Sequence, residues 1–216
     1  MLWVVGDVHG LIPSYEKVCQ RLHKFDPEAV TIQVGDMGVG FKGVRAPECG
    51  PNDFWIAGNH DDALVCEKCP GNLGDFGVRQ FCGYSVFFMR GAMSTDRAFR
   101  TEGESWWAYE ELTDQQLDQA VNLYRESRPE VVVTHDCPRQ IRDHWFKCAF
   151  VESRTVDALS RMLKAHQPLH WALGHHHHPR EELFLGTHFI CVNELQEKKI
   201  PVRPATSPPS GDAEFR

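Results

Sequence analysis

Leu2-Trp3-Val4-Val5-Gly6-Asp7-Val8-His9-Gly10 begins with four apolar residues and then breaks. The uninterrupted apolar run reads as a buried strand, and the break carries a glycine followed by an acid and a histidine, residues of the type that bind metals. Pro13 suits the first turn of a helix that continues through Ser14–Phe25, where Val18, Leu22 and Phe25 recur at helical spacing. The same strand ending recurs downstream. Ala29–Val34 stops at Gly35-Asp36-Met37-Gly38, and Phe54–Ala57 stops at Gly58-Asn59-His60-Asp61. Three strands in a row therefore end in glycine followed by Asp or Asn.

The rest of the chain extends the pattern. Gln80–Phe88 within Val78–Arg90 is predicted to form a hairpin turning at Gly83-Tyr84, and Gly91–Trp107 a long functional loop. Glu110–Arg125 has Leu112, Leu117, Val121 and Leu123, with Thr113 as a cap, and is predicted to be a helix ending before Pro129. Val131-Val132-Val133 is a short buried strand that stops at Thr134-His135-Asp136. A helix over Thr155–His166 precedes a strand, Leu169–Leu173, that stops at Gly174-His175, and a last hairpin turns around Gly186. Strand, helix, strand, twice over, is the pattern of an α/β domain, in which sites gather outside the carboxyl ends of the strands. Five strand ends here carry Asp, His or Asn.

Composition narrows the class. The chain has 216 residues, a net charge of −7, 42% hydrophobic residues, 12 histidines and 8 cysteines. That length fits one domain, read here as residues 1–196, followed by a mobile tail over 197–216 where Lys, Pro, Ser and Asp replace apolar residues. No apolar run is long enough to span a membrane, and the start lacks the basic segment of a signal peptide, so a soluble cytoplasmic protein is expected. The negative charge argues against a broad basic face for nucleic acid but not against a local phosphate site. Scattered cysteines in a chain of this size read as reduced thiols; Cys66-Glu-Lys-Cys69 is the one pair at metal spacing and reads as coincidental.

The candidate ligands are Asp7, His9, Asp36, Asn59, His135, His175 and His177. All offer nitrogen or oxygen, a mixture that suits first-row divalent ions such as Mn, Fe, Zn, Co or Ni rather than a thiol-rich structural zinc site. Seven ligands exceed the needs of one ion and suit two if one carboxylate is shared. Asp36, alone on the second strand, is the natural bridge. Such a pair of ions acidifies a water held between them and polarises a bound phosphoryl oxygen, which equips it to hydrolyse a phosphate ester in line. Asn59 fits as a neutral amide oxygen, while His60 beside it cannot easily share the same ion. His60 is therefore expected to protonate the leaving oxygen.

Gly6-Asp7-Val8-His9-Gly10, Gly35-Asp36, Gly58-Asn59-His60-Asp61, Thr134-His135 and Gly174-His175-His176-His177, in this order, resemble the five signature blocks of the calcineurin-like metallophosphoesterases. The resemblance spans residues 1 to about 180. It implies a four-layer α/β/β/α sandwich of two mixed sheets with flanking helices and the dimetal site at one end. It also implies that Asp7, His9, Asp36 and His177 hold the first ion, and that Asp36, Asn59, His135 and His175 hold the second. His60 becomes the catalytic imidazole, and His176 and His178 line the rim. The protein Ser/Thr phosphatase branch follows its second block with an Asp-Arg pair and has Glu after Asn-His; here the corresponding stretch is Asp36-Met37-Gly38-Val39-Gly40 and the third block ends in Asp61, which disfavours that branch. Leu73-Gly74-Asp75-Phe76-Gly77 and Gly91–Asp96 through Trp106-Trp107 are similar to small bacterial and phage-type members.

Arg97 and Arg100 in the long loop are candidate contacts to a substrate phosphate. Trp106-Trp107 reads as packing of that loop onto the core more than as a wall for a stacked base. The resulting expectation is a dimetal phosphodiesterase acting, through a hydroxide between the ions, on small or nucleotide-like substrates, with manganese the metal of choice in assay. The alternatives are a phosphomonoesterase with protein or nucleotide substrates and, from another class, a non-catalytic metal-binding interaction module.

Overall fold

The computed structural model describes residues 1–147 and 152–201. Its elements follow in the order β1 (Leu2–Val5), α1 (Ile12–Phe25), β2 (Val30–Gln33), β3 (Asp53–Trp55), α2 (Ala63–Cys66), β4 (Phe76–Phe81), β5 (Tyr84–Met89), α3 (Asp114–Ser127), β6 (Val131–Thr134), α4 (Arg139–Trp145), α5 (Arg154–Ala165), β7 (His170–Leu173), β8 (Arg180–Phe184), β9 (Thr187–Cys191) and β10 (Glu197–Lys199). The strands form two mixed sheets, one in the order β10-β1-β2-β3 and one in the order β4-β5-β6-β7-β9-β8. Strands β1, β2 and β3 run parallel, as do β5, β6, β7 and β9.

Side-chain alternation explains why the sheets stack. Successive residues of a strand point to opposite faces. Leu2, Val4 and Ile32 of the first sheet therefore meet Val86, Phe88, Val131 and Val133 of the second in one buried layer. The residues between them turn outward: Phe87, Met89 and Val132 pack against α3, α4 and α5, while Val5 and Trp55 pack against Ile12, Tyr15, Val18 and Leu22 of α1. Both faces of each sheet are covered, which is why β6 reads as an unbroken apolar run. The expected four-layer α/β/β/α sandwich is the fold observed.

Thr113 caps α3 in a capping box, accepting from the Gln116 backbone N–H at 3.3 Å while the Gln116 side chain accepts from the Thr113 N–H at 3.0 Å. The β4–β5 hairpin turns at Cys82-Gly83, one residue earlier than expected. Both adopt positive φ, 50° and 81°, the pairing a two-residue turn needs to follow strand twist, so Tyr84 is free to begin β5. Glu110, placed by the sequence reading at the start of α3, precedes the helix. No helix among the described residues is long and apolar enough to cross a membrane.

The expected boundary at residue 197 is corrected. Glu197–Lys199 form β10, antiparallel to β1, and Ile200 is 2% exposed in the layer between the sheets. One buried isoleucine after a glutamate and two lysines leaves too little apolar content to announce a strand. The remainder of the expected tail, residues 202–216, and Cys148 lie outside the described residues. A chain ending at Gln196 is expected to unfold at lower denaturant concentration than the full chain. Ile200→Ala alone should cost about 2–4 kcal/mol; an unchanged unfolding midpoint in both would restore the boundary at 197.

Candidate active site

Five loops that follow parallel strands meet at one end of the sandwich. After β1, Asp7 is fully buried, and the loop after β7 brings His177 to it: His177 Nε2 lies 3.0 Å from Asp7 Oδ2. His9 completes this set, with Nε2 3.1 Å from His177 Nε2 and 3.8 Å from Asp7 Oδ2. In the second set, His135 Nε2 lies 3.1 Å from Asp36 Oδ1 and 3.1 Å from Asn59 Oδ1, and the His175 ring packs edge-on to His135 with 5.0 Å between centroids. Asp36 belongs to both sets, because its other oxygen, Oδ2, is 3.9 Å from His9 Nε2. The structure thus brings all seven expected ligands together.

The local backbone shows what holds them there. His9, Asp36, His175 and His177 all have positive φ, between 47° and 63°. Left-handed backbone in non-glycine residues costs of order 1 kcal/mol each and persists where the surroundings fix it. Close approach explains two of the glycines. A methyl group at Gly58 would overlap Asp36 Oδ1 and His135 Nε2, and one at Gly174 would overlap Asp7 Oδ1. The Gly-Asn and Gly-His pairs are therefore packing requirements, since a ligand from the end of another strand, in the same or the facing sheet, occupies the space of the missing side chain.

Asp61 is the residue whose role the sequence did not disclose. Its buried carboxylate accepts four backbone N–H bonds, from Gly38 (2.6 Å), Val39 (2.8 Å), Met37 (3.1 Å) and Gly58 (2.7 Å). The loop after β2 is in this way tied to the loop after β3. A short carboxylate three residues after a strand-ending glycine has the reach to fold back on loop N–H groups, and that was the available signal.

Electrostatics follow from burial and mutual contact. Burial works against a charge on His135, yet Asp36 beside it dominates and raises the imidazole to about 10. His135 Nδ1 donates to the Val34 carbonyl at 2.9 Å, which leaves Nε2 as the atom facing Asp36 and Asn59. A proton on Nε2 thus stands where a cation would otherwise serve three facing donors. Asp36 lies well below the ordinary carboxylate range: burial opposes its charge, and His135, His60 and His9 outweigh burial. Loss of surrounding water pushes His175 down to about 4, leaving it an uncharged donor.

His60 stands at the cleft with Nε2 3.9 Å from Asp36 Oδ2, and burial holds its pKa below the ordinary histidine value, with Arg100 acting in the same direction. The Arg100 guanidinium donates to His60 Nε2 at 2.7 Å, and its Nε is paired with Asp96 at 2.8 Å. Arg100 lines a cleft of about 400 Å³ together with His9, Asp36, Asn59, His60 and His177. Arg97 is exposed and does not line it, because the single turn at Arg97–Phe99 carries it outward. Trp107 is buried. His176 does not line the cleft: it faces Asp136 at 3.1 Å, stacks on Phe146 and packs edge-on to His175 from behind. Cys66 is buried in the layer against α1, and the Cys69 thiol donates to the Val65 carbonyl.

Three groups of Asp and His donors, each with ligand atoms within 4.8 Å of one another, overlap through His9 and Asp36. An α/β/β/α sandwich carrying such a linked cluster at its strand ends is the build of a metallophosphoesterase. Residues 1–179 match the family model described as calcineurin-like phosphoesterase, and the chain belongs to that family. The family generally uses a dinuclear divalent metal centre, and the donor set here fits one. A search of curated protein sequences finds no match. Among solved structures, the chain is similar to a putative 5'-nucleotidase from Staphylococcus aureus, with a TM-score of 0.54 and 14% identity over 89% of this chain and 48% of that one. It is also similar to GAP50 of Plasmodium, with a TM-score of 0.50 and 11% identity over 89% of this chain and 71% of that one. These likenesses extend to the fold. The chain spans about half the length of the nucleotidase.

Replacing Asp61 by Asn leaves one strong acceptor oxygen for four donors and points an N–H2 group at the others. Asp61→Asn is expected to cost about 2–4 kcal/mol in denaturant unfolding and to weaken metal binding as the two loops separate. Wild-type stability in that variant would remove Asp61 from its role as the tie.

Proposed function

We propose that the chain is a two-metal phosphoesterase cleaving phosphodiester bonds of small or nucleotide-like substrates. The observation that carries this reading is the Asp36 carboxylate, whose two oxygens face different donor sets, Oδ2 towards His9 and Oδ1 towards His135. Asp7, His9, Asp36 and His177 would hold one ion, and Asp36, Asn59, His135 and His175 the other. Their nitrogen and oxygen donors suit first-row divalent metals, with manganese the first choice in assay. When bound, the two ions supply Lewis acidity and acidify a water nucleophile at neutral pH.

The chain's own groups complete the chemistry. Neither donor set needs His60, and its position at the cleft lets Nε2 carry the proton for the leaving oxygen. In the substrate-free chain Arg100 donates to that atom. A phosphoryl oxygen that draws the guanidinium to itself would free Nε2 for the leaving group, so Arg100 is assigned to the phosphate and Asp96 to holding its Nε. Arg100 is the one arginine or lysine among the described residues that line the cleft, and the stretch Asp36-Met37-Gly38-Val39-Gly40, which corresponds to the one that carries the arginine in the protein phosphatase branch, has no cationic side chain. A singly charged diester needs fewer cationic contacts than a doubly charged monoester, which favours the diester. The reach of Arg100 into the cleft is the observation on the side of a monoester.

With Mn²⁺ added, the enzyme is expected to turn over bis(p-nitrophenyl) phosphate faster than p-nitrophenyl phosphate; a clear preference for the monoester would reverse the assignment. His60→Gln should retain two bound ions and lose about 10²–10⁴-fold in kcat, whereas Asp36→Asn should lower metal content itself. Metal analysis that finds an ion missing in His60→Gln would make His60 a ligand instead.

A further inference from the structure

We infer that Ser94 and Glu110, in the segment between β5 and α3, are positioning residues that fix which end of the Asn59 side-chain amide faces the metal centre. The inference rests on the two-ion reading above. Asn59, Ser94 and Glu110 are 2%, 1% and 4% exposed, so none can satisfy its polar atoms with bulk water. They form one chain of hydrogen bonds. Asn59 Nδ2 donates to Ser94 Oγ at 3.0 Å, the Ser94 hydroxyl donates to Glu110 Oε2 at 2.5 Å, and the Ser94 backbone N–H donates to Glu110 Oε1 at 2.9 Å.

The direction of the chain is set at its acidic end. A carboxylate only accepts, so Glu110 commits the single proton of the Ser94 hydroxyl. Ser94 Oγ is then left as an acceptor towards Asn59, and only the Nδ2 end of the amide can donate to it. Oδ1 must point the other way, where it lies 3.1 Å from His135 Nε2. The two ends of a side-chain amide have nearly the same shape, so packing alone does not select between them. The choice matters because the oxygen can bind a cation and the N–H2 end cannot. Glutamine at position 110 could instead donate to Ser94 Oγ while still accepting from the Ser94 N–H. The hydroxyl proton would then be free to bond Asn59 Oδ1, and the amide would turn its nitrogen to the ions. His60 is served from the same segment, through Arg100, so one loop orients two adjacent residues of the site.

The test is calorimetric titration of the metal-free full-length chain with Mn²⁺, with thermal unfolding recorded for each variant. Wild type should take up two ions. Glu110→Gln should fold with a wild-type midpoint and bind the second ion about 10–100-fold more weakly, the usual penalty for losing a hydrogen bond behind a metal ligand. Ser94→Ala, which breaks the chain and leaves Glu110 charged, should show the same selective loss, and it carries the test if Glu110→Gln does not fold. A double-mutant cycle separates orientation from simple loss of charge. With Asn59→Asp as background there is no nitrogen end to misplace, so adding Glu110→Gln should change second-site affinity less than twofold. Equal weakening in both backgrounds, or wild-type affinities in Glu110→Gln, would overturn the inference. Uptake of a single ion by wild type would overturn it together with the two-ion reading. Two ions in wild type, a selective loss in Glu110→Gln, and no phosphoester turnover in either would support the relay and sink the phosphoesterase reading alone.

Discussion

The site depends on a carboxylate that need not touch a metal. Asp61 gathers four backbone N–H groups from two loops, each loop leaving the end of a different parallel strand. Two loops ending side by side in a sheet have no intrinsic reason to converge, and N–H groups buried at their tips would each cost free energy without an acceptor. One side chain removes both difficulties. It satisfies the donors and fixes the distance between Asp36 and Asn59, so the second donor set is laid down by backbone hydrogen bonding before any cation arrives. Burial and the neighbouring Asp36 raise Asp61 to about 7 even though the backbone donors pull it down. What favours its charge comes from those N–H partners rather than from water.

The same economy governs the backbone of the ligands. Four of the seven sit in left-handed conformations, a total cost on the order of several kcal/mol. Strain of that size is held by the close fit around it. Gly58 and Gly174 admit Asp36, His135 and Asp7 to positions that any side chain would block, and the amide of Gln33 grips the turn at Gly35 by donating to its carbonyl. The donors are thus held in place by scaffold contacts, so binding two ions requires little further ordering of the chain.

Much of this was legible in the sequence because it is repetitive. Apolar runs ending in Gly-Asp, Gly-Asn or Gly-His mark strand ends, and a parallel arrangement brings strand ends to one side, so the five blocks lead directly to Asp7, Asp36, Asn59, His135 and His175. Thr113 was readable as a cap because its partner is three residues away. What stayed hidden is what depends on pairing across long intervals. Ser94 and Glu110 stand sixteen residues apart in a stretch without period, and Glu110 resembles the first turn of a helix. β10 is two lysines and a glutamate whose strand character comes entirely from β1. Arg97 and Arg100 are indistinguishable in sequence, and only the single turn between them sends one to the cleft and the other to solvent.

The acidic composition reads differently once the site is placed. A chain of net charge −7 is poorly suited to hold polyanions over a broad face. Yet within the donor cluster Asp7 and Asp36 are the two carboxylates that would face two divalent ions, so the local balance becomes positive when they bind. Arg100 adds to it from the rim. Asp96 and Glu110 contribute negative charge at one remove, the first on the Arg100 guanidinium and the second behind Ser94, where it orients Asn59 without lying on the ions. Neutral Asn59 in place of a third carboxylate keeps the balance in favour of an anionic substrate, and that neutrality is what creates the need for a device to aim its amide. An acidic side chain would bind a cation from either oxygen; an amide binds from one, and the buried hydroxyl and carboxylate behind it are the consequence.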